Sequence, residues 1–139
     1  MIFNSIRIKS LLVVISFLVL YSFKPLNEYK INKENEVNGL WKNKDIIIEL
    51  KSNQNIIIEI LKEDGTLKKK LSGTYKIDLS KQPITIDIKN LDGVSGSLYA
   101  IIKINKELEL VMSKLSTSWK QRTISFKDNN IIKFKKGNK

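Results

Sequence analysis

Residues 73–88 alternate apolar and polar side chains in two runs separated by Ser80, Lys81, Gln82 and Pro83, and no other stretch restricts the fold so tightly. A period of two places Tyr75 and Ile77 on one face of the first run, and Ile84, Ile86 and Ile88 on one face of the second. A helix would scatter these positions around its circumference, so the segment is expected to form an antiparallel β-hairpin with one apolar face. Pro83 suits the first residue of a strand, where a missing N–H is tolerated.

The same alternation runs through the body of the chain. Ile46, Ile48 and Leu50 share a face over residues 45–50, and Ile56, Ile58 and Ile60 repeat the pattern after a polar turn at residues 52–55. Residues 63–66 contain Asp64 and Gly65, a pair that supplies the positive φ of a tight turn. Leu67, Leu71, Tyr75 and Ile77 then line one side of a long strand, with Gly73 expected at a bulge or bend. Residues 92–96 read as a flexible loop. Leu98, Ala100, Ile102 and Ile104 follow in alternation with Tyr99, Ile101 and Lys103, and Asn105 and Lys106 turn the chain into Leu108, Leu110 and Met112. Arg122, Ile124 and Phe126 are expected on one face of the penultimate strand, and residues 128–130 turn it into Ile132 and Phe134. About eight or nine short strands at even spacing, with no helical period between them, fit an all-β, antiparallel up-and-down barrel. Alternation alone leaves a β-sandwich as the alternative.

Before the strands, Arg7 and Lys9 precede an uncharged apolar stretch at residues 11–23 that ends at Lys24 and Pro25. This is the layout of an export signal. As a helix it would rise about 20 Å, short of the roughly 30 Å hydrocarbon core. Residues 1–23 are therefore expected to be a signal peptide or an uncleaved anchor, and residues 24–37, polar and poor in apolar side chains, a linker. The domain is expected over residues 38–139. Either reading of the leader places that domain outside the cytoplasm, in the periplasm or secreted, with contact to a membrane only through the leader.

Composition narrows the chemistry. The chain has no histidine and no cysteine, which removes the commonest general base, the soft metal ligands, the thiol nucleophile and every disulfide. The formal charge of +11 is carried by lysine, because Arg7 and Arg122 are the only arginines. Lysine is the residue less suited to bidentate phosphate recognition, and the aromatics do not interleave with the basic residues as nucleic-acid stacking requires. The expectation is a non-enzymatic protein without a cofactor, a metal or a nucleic-acid partner, with an anionic surface as one candidate partner. Asp78 and Asp87 are expected to face each other on the polar side of the hairpin, as solvated or lysine-paired groups. Lys68, Lys69 and Lys70 are expected on an exposed strand edge.

Gly73-Thr74-Tyr75, with Ile77-Asp78 after it and Pro83 then Ile86-Asp87 in the second strand, resembles the signature of lipocalin-like domains in secreted bacterial proteins. The resemblance extends over most of residues 39–136 and implies a calycin-like β-barrel. Gly39-Leu40-Trp41 matches the Gly-x-Trp motif that opens a lipocalin barrel. The resemblance further implies that an arginine from the last strand lies over that tryptophan, and Arg122 is expected in that role. Gly39, Trp41 and Arg122 are thus the expected closure of one barrel end. Trp119, Tyr75 and Tyr99 are the candidate ligand-contacting aromatics, with packing as the alternative role for Trp119.

Two functions follow from an aliphatic interior, since an eight-stranded barrel is just wide enough to be filled by its own side chains or to hold one small ligand. The first is an envelope module acting on an unknown partner through its surface. The alternative is a binder of a small apolar or amphipathic molecule inside the barrel. Ile57, Leu61, Tyr99, Ile101 and Val111 fall on the second face and, if exposed, would form an apolar surface able to recruit a partner.

Overall fold

The computed structural model describes residues 29–138, so the leader expected at residues 1–23 and the first part of the linker lie outside the described residues. Eight strands follow in chain order: β1 Gly39–Lys42, β2 Ile46–Leu50, β3 Asn55–Leu61, β4 Leu67–Asp78, β5 Ile84–Lys89, β6 Leu98–Ile104, β7 Leu110–Ser113 and β8 Ile131–Lys136. Each pairs antiparallel with its neighbours, and β1 pairs with β8, which closes an up-and-down barrel.

Short polar side chains set the turns. Asn43 Oδ1 accepts the N–H groups of Asp45 and Ile46 at 2.9 and 2.8 Å. Asn53 and Asp64 each accept the N–H two residues on, and Asn105 accepts that of Glu109 at 2.8 Å. Such bonds offer the backbone a turn in place of a continued ladder.

The expected hairpin is β4 and β5. Tyr75 pairs with Ile88 and Ile77 with Ile86, all four buried, and Lys76 pairs with Asp87 on the outer face. Asp78 stands opposite Thr85, so the two aspartates are offset along the hairpin and do not face each other. Gly73 is regularly paired with Ile56, and the register shift of this sheet lies instead between Ile60 and Leu61. Glycine is needed at position 73 for a different reason. A Cβ there would meet the Lys89 carbonyl oxygen at 2.8 Å and Leu91 Cα at 3.0 Å, because the corner after β5 folds back on β4, where Asp92 exchanges hydrogen bonds with Ser72. Leu67 lies outside the apolar row, half-exposed at the start of β4. The Lys68–Lys70 run is exposed and pairs only with β3, since β5 joins β4 from Thr74 onward.

The inward rows form one apolar cluster from Trp41 to Phe134. Two segments outside the strands complete the fold, and both differ from expectation. Ile31 and Val37 are buried in that cluster, either side of a 3-10 turn at Glu34–Glu36. The part of the expected linker from Ile31 to Val37 is therefore a plug over the end at which the chain enters the barrel. The expected penultimate strand around Arg122 to Phe126 is not a strand. Residues 114–130 form a strap with 3-10 turns at Trp119–Gln121 and Asp128–Asn130. Both edges of β7 are already occupied, by β6 and β8, which leaves no ladder for this segment to join.

Contacts trace the strap along the outer face of β5 and β6 and back. Ser116 first pairs backbone to backbone with Tyr99 at the edge of β6; beyond it Arg122 reaches Asp87, Lys103 lies over Phe126, and the Lys114 N–H meets the Asn130 carbonyl where the strap returns. Ile101 and Val111 point outward, yet they are 1% and 2% exposed beneath it. The apolar outer surface expected around Tyr99, Ile101 and Val111 is consequently covered by the chain itself. Ile57 and Leu61, on β3, are half-buried.

Candidate functional site

Gly39 and Trp41 sit at the plugged end of the barrel. Gly39 has φ +125°, a region that side chains other than glycine rarely adopt. Trp41 points inward, and its indole N–H donates to the Val37 carbonyl at 2.6 Å, so the plug satisfies the one polar atom of a buried ring. The cation over that ring is Lys136, with Nζ 5.0 Å from the centroid. Lys136 pairs directly with Trp41 across β1 and β8. The expected partner, Arg122, is elsewhere, because it belongs to the strap and not to the last strand.

Tyr75 also belongs to this end. Its hydroxyl lies 2.8 Å from the Asn38 side-chain oxygen and 2.8 Å from the Lys51 carbonyl, ties that hold the plug against the turn after β2. Burial, with the charge of Glu34, pushes the Tyr75 phenol up from its ordinary pKa. Tyr75 therefore faces the interior, away from the other two aromatics expected to meet a ligand.

Tyr99 and Trp119 do come together, on the outside of the barrel. A cleft of about 390 Å³ is floored by Lys76, Thr85, Asp87 and Tyr99 on β4 to β6 and walled by Trp119 and Arg122 of the strap, with Asp78 and Lys81 beside the β4–β5 turn. Arg122 organises it. Its guanidinium donates to Asp87 and lies with Cζ 5.1 Å from the Tyr99 ring centroid. The Arg122 side chain is only 17% exposed, and its Nε is buried without a hydrogen-bond partner. Trp119, by contrast, is 65% exposed, with Lys120 Nζ 5.7 Å from its ring.

The hydroxyl and N–H of Ser80 both donate to Asp78, at 2.5 and 2.9 Å. They hold its carboxyl below the usual range, and the charges of Lys81 and Lys76 act in the same direction. Asp78 is thus an anion at neutral pH, with no proton to give or take near pH 7.

A second groove, of about 740 Å³, lies where Ile31 of the plug, Pro83 of the β4–β5 turn, Ile84 at the start of β5, and Ile124 and Phe126 of the strap converge. Sequence reasoning missed both grooves because each depends on where the strap lies. The available signal was the outward row Tyr99, Ile101 and Val111, which on a barrel in water calls for a cover. Among the described residues, no group of three or more acidic, histidine or cysteine side chains comes together to hold a metal ion. In comparisons with known proteins, no family model, curated protein or solved structure matches the chain.

Proposed function

We propose that this chain is an exported, non-enzymatic, lipocalin-like module of the cell envelope that acts through its outer surface and holds no ligand inside. The observation that carries the reading is the filled interior. Trp41, Ile56, Ile86, Ile88, Ile102, Leu110 and Phe134 are all below 2% exposed, and Ile31 and Val37 extend the same cluster to the plug. An eight-stranded barrel has room for its own side chains or for a ligand, and bulky side chains from every strand take that room here.

Lipocalin kinship rests on the closed up-and-down barrel, the Gly39-Leu40-Trp41 opening and a last-strand cation over Trp41. Export rests on the basic flank and apolar run at residues 7–23. The non-enzymatic reading rests on the lack of histidine and cysteine and on cleft carboxylates already engaged, Asp87 by Arg122 and Asp78 by Ser80.

Titration with an anilinonaphthalene dye tests the filled interior. The expected result is no saturable binding by the folded protein. One-to-one binding, with energy transfer from the buried Trp41, would assign the barrel to a small apolar ligand and overturn the surface reading.

A further inference from the structure

Resting on that surface reading, we infer that the strap cleft binds a carboxylate-bearing saccharide unit. Trp119 is held in a 3-10 turn, yet it is 65% exposed and lines a polar cleft. An indole kept in water beside hydroxyl and charged groups suits a ligand with one apolar face and a polar rim. A pyranose ring has that form, because its C–H face covers the aromatic ring while its hydroxyls point outward to donors and acceptors. Thr85 supplies a hydroxyl for those hydroxyls, and Asp78, whose Oδ1 is taken by Ser80, supplies its other carboxylate oxygen.

Charge selects among saccharides. The cleft contains three cationic and two carboxylate side chains. Arg122 and Asp87 neutralise each other, which leaves Lys76, Lys81 and Asp78, with one positive charge over. Lys76 and Lys81 are exposed and make no ion pair within 4.0 Å among the described residues. A uronate carboxylate placed between them would compensate that charge, with Asp78 left to accept hydroxyls. The volume of about 390 Å³ lies at the small end of ligand pockets and is fit for a sugar unit, while its charged and hydroxyl lining does not suit an acyl chain.

The two tryptophans make the test direct, since Trp41 is buried and Trp119 reports on the cleft. Intrinsic fluorescence of the purified full chain is followed at low ionic strength while trigalacturonic acid, galacturonic acid or neutral maltotriose is added. Trigalacturonic acid is expected to shift Trp119 emission saturably, with maltotriose binding about tenfold more weakly, as loss of one charge-assisted contact implies. Saturation by galacturonic acid identifies a single unit as the ligand, and saturation by the trimer alone identifies a polymer segment. By calorimetry, Trp119→Ala and the Lys76→Ala/Lys81→Ala pair are each expected to weaken trimer binding about tenfold. Their exposed positions leave the far-UV circular dichroism unchanged.

The inference is overturned if neither acidic probe gives a saturable change at millimolar concentration. Equal affinity for maltotriose, or full affinity in either variant, would overturn it as well. A failed sugar titration leaves the dye result standing, whereas stoichiometric dye uptake by the barrel sinks the surface reading whatever the cleft binds.

Discussion

Ile101 faces away from the barrel axis and is nevertheless 1% exposed, because residues 114–130 lie over it. Its truncation measures whether that strap is packed or merely adjacent. Alanine at a buried isoleucine costs roughly 2–5 kcal/mol through lost burial and the cavity left behind. The strap contains one isolated bridge and two 3-10 turns, so it can settle partly into the void, and the lower part of the range applies, about 2–3 kcal/mol. At roughly 4 °C per kcal/mol for a domain of this size, Ile101→Ala should lower Tm by about 10 °C. Ile57 is the control: it is an outward isoleucine on β3, only half-buried, and its alanine variant should cost under about 1 kcal/mol. Urea unfolding followed by far-UV circular dichroism gives both values. Equal losses for the two variants would show that the strap does not cover β6, and the cleft built on it would fall too.

Tyr75→Phe should cost about 1 kcal/mol at neutral pH by removing the ties to Asn38 and Lys51. The folded-state phenol titrates above its ordinary value, so its contribution is complete below the unfolded pKa near 10 and is lost as pH rises through the folded value. Urea midpoints between neutral and strongly alkaline pH should therefore fall less steeply in the phenylalanine variant; identical slopes would contradict the assignment. Gly73→Ala should cost roughly 1–3 kcal/mol, because the new Cβ meets backbone atoms of residues 89–91 that cannot rotate away; a neutral effect in thermal melts would mean that the corner is not packed there. Lys136→Ala should alter Trp41 emission and remove a contact of about 0.5–1 kcal/mol. Arg122→Ala should leave Trp41 unchanged, and the reverse pattern would restore the arginine closure.

Alternation is enough to place β2 to β7 and to set the inward face of the β4–β5 hairpin, because an inward apolar row at every second position leaves a local imprint even where, as on β6 and β7, the outer row is buried too. It misread Arg122, Ile124 and Phe126 for the same reason. The spacing is that of a strand, but a strand also needs a free partner edge, and β7 and β8 already pair with each other. Ile124 is 82% exposed, so its apolar character marks no core. The plug left no periodic trace either, since Ile31 and Val37 bury single side chains from a polar stretch. Closure by Lys136 is not legible from the resemblance, which implies an arginine, and only one arginine lies in the body of the chain. Of the expected ligand contacts, Trp119 and Tyr99 share a cleft, while Tyr75 belongs to the interior.

A barrel filled from end to end requires the first and last strands to be joined, and nuclear Overhauser contacts across that seam measure it. Contacts linking Trp41 with Lys136 and Lys42 with Lys135, with slow amide exchange on both strands, are the expected result. A seam without such contacts, with β1 and β8 amides exchanging as freely as the loops, would mean an open sheet and would contradict both the filled interior and the surface role derived from it.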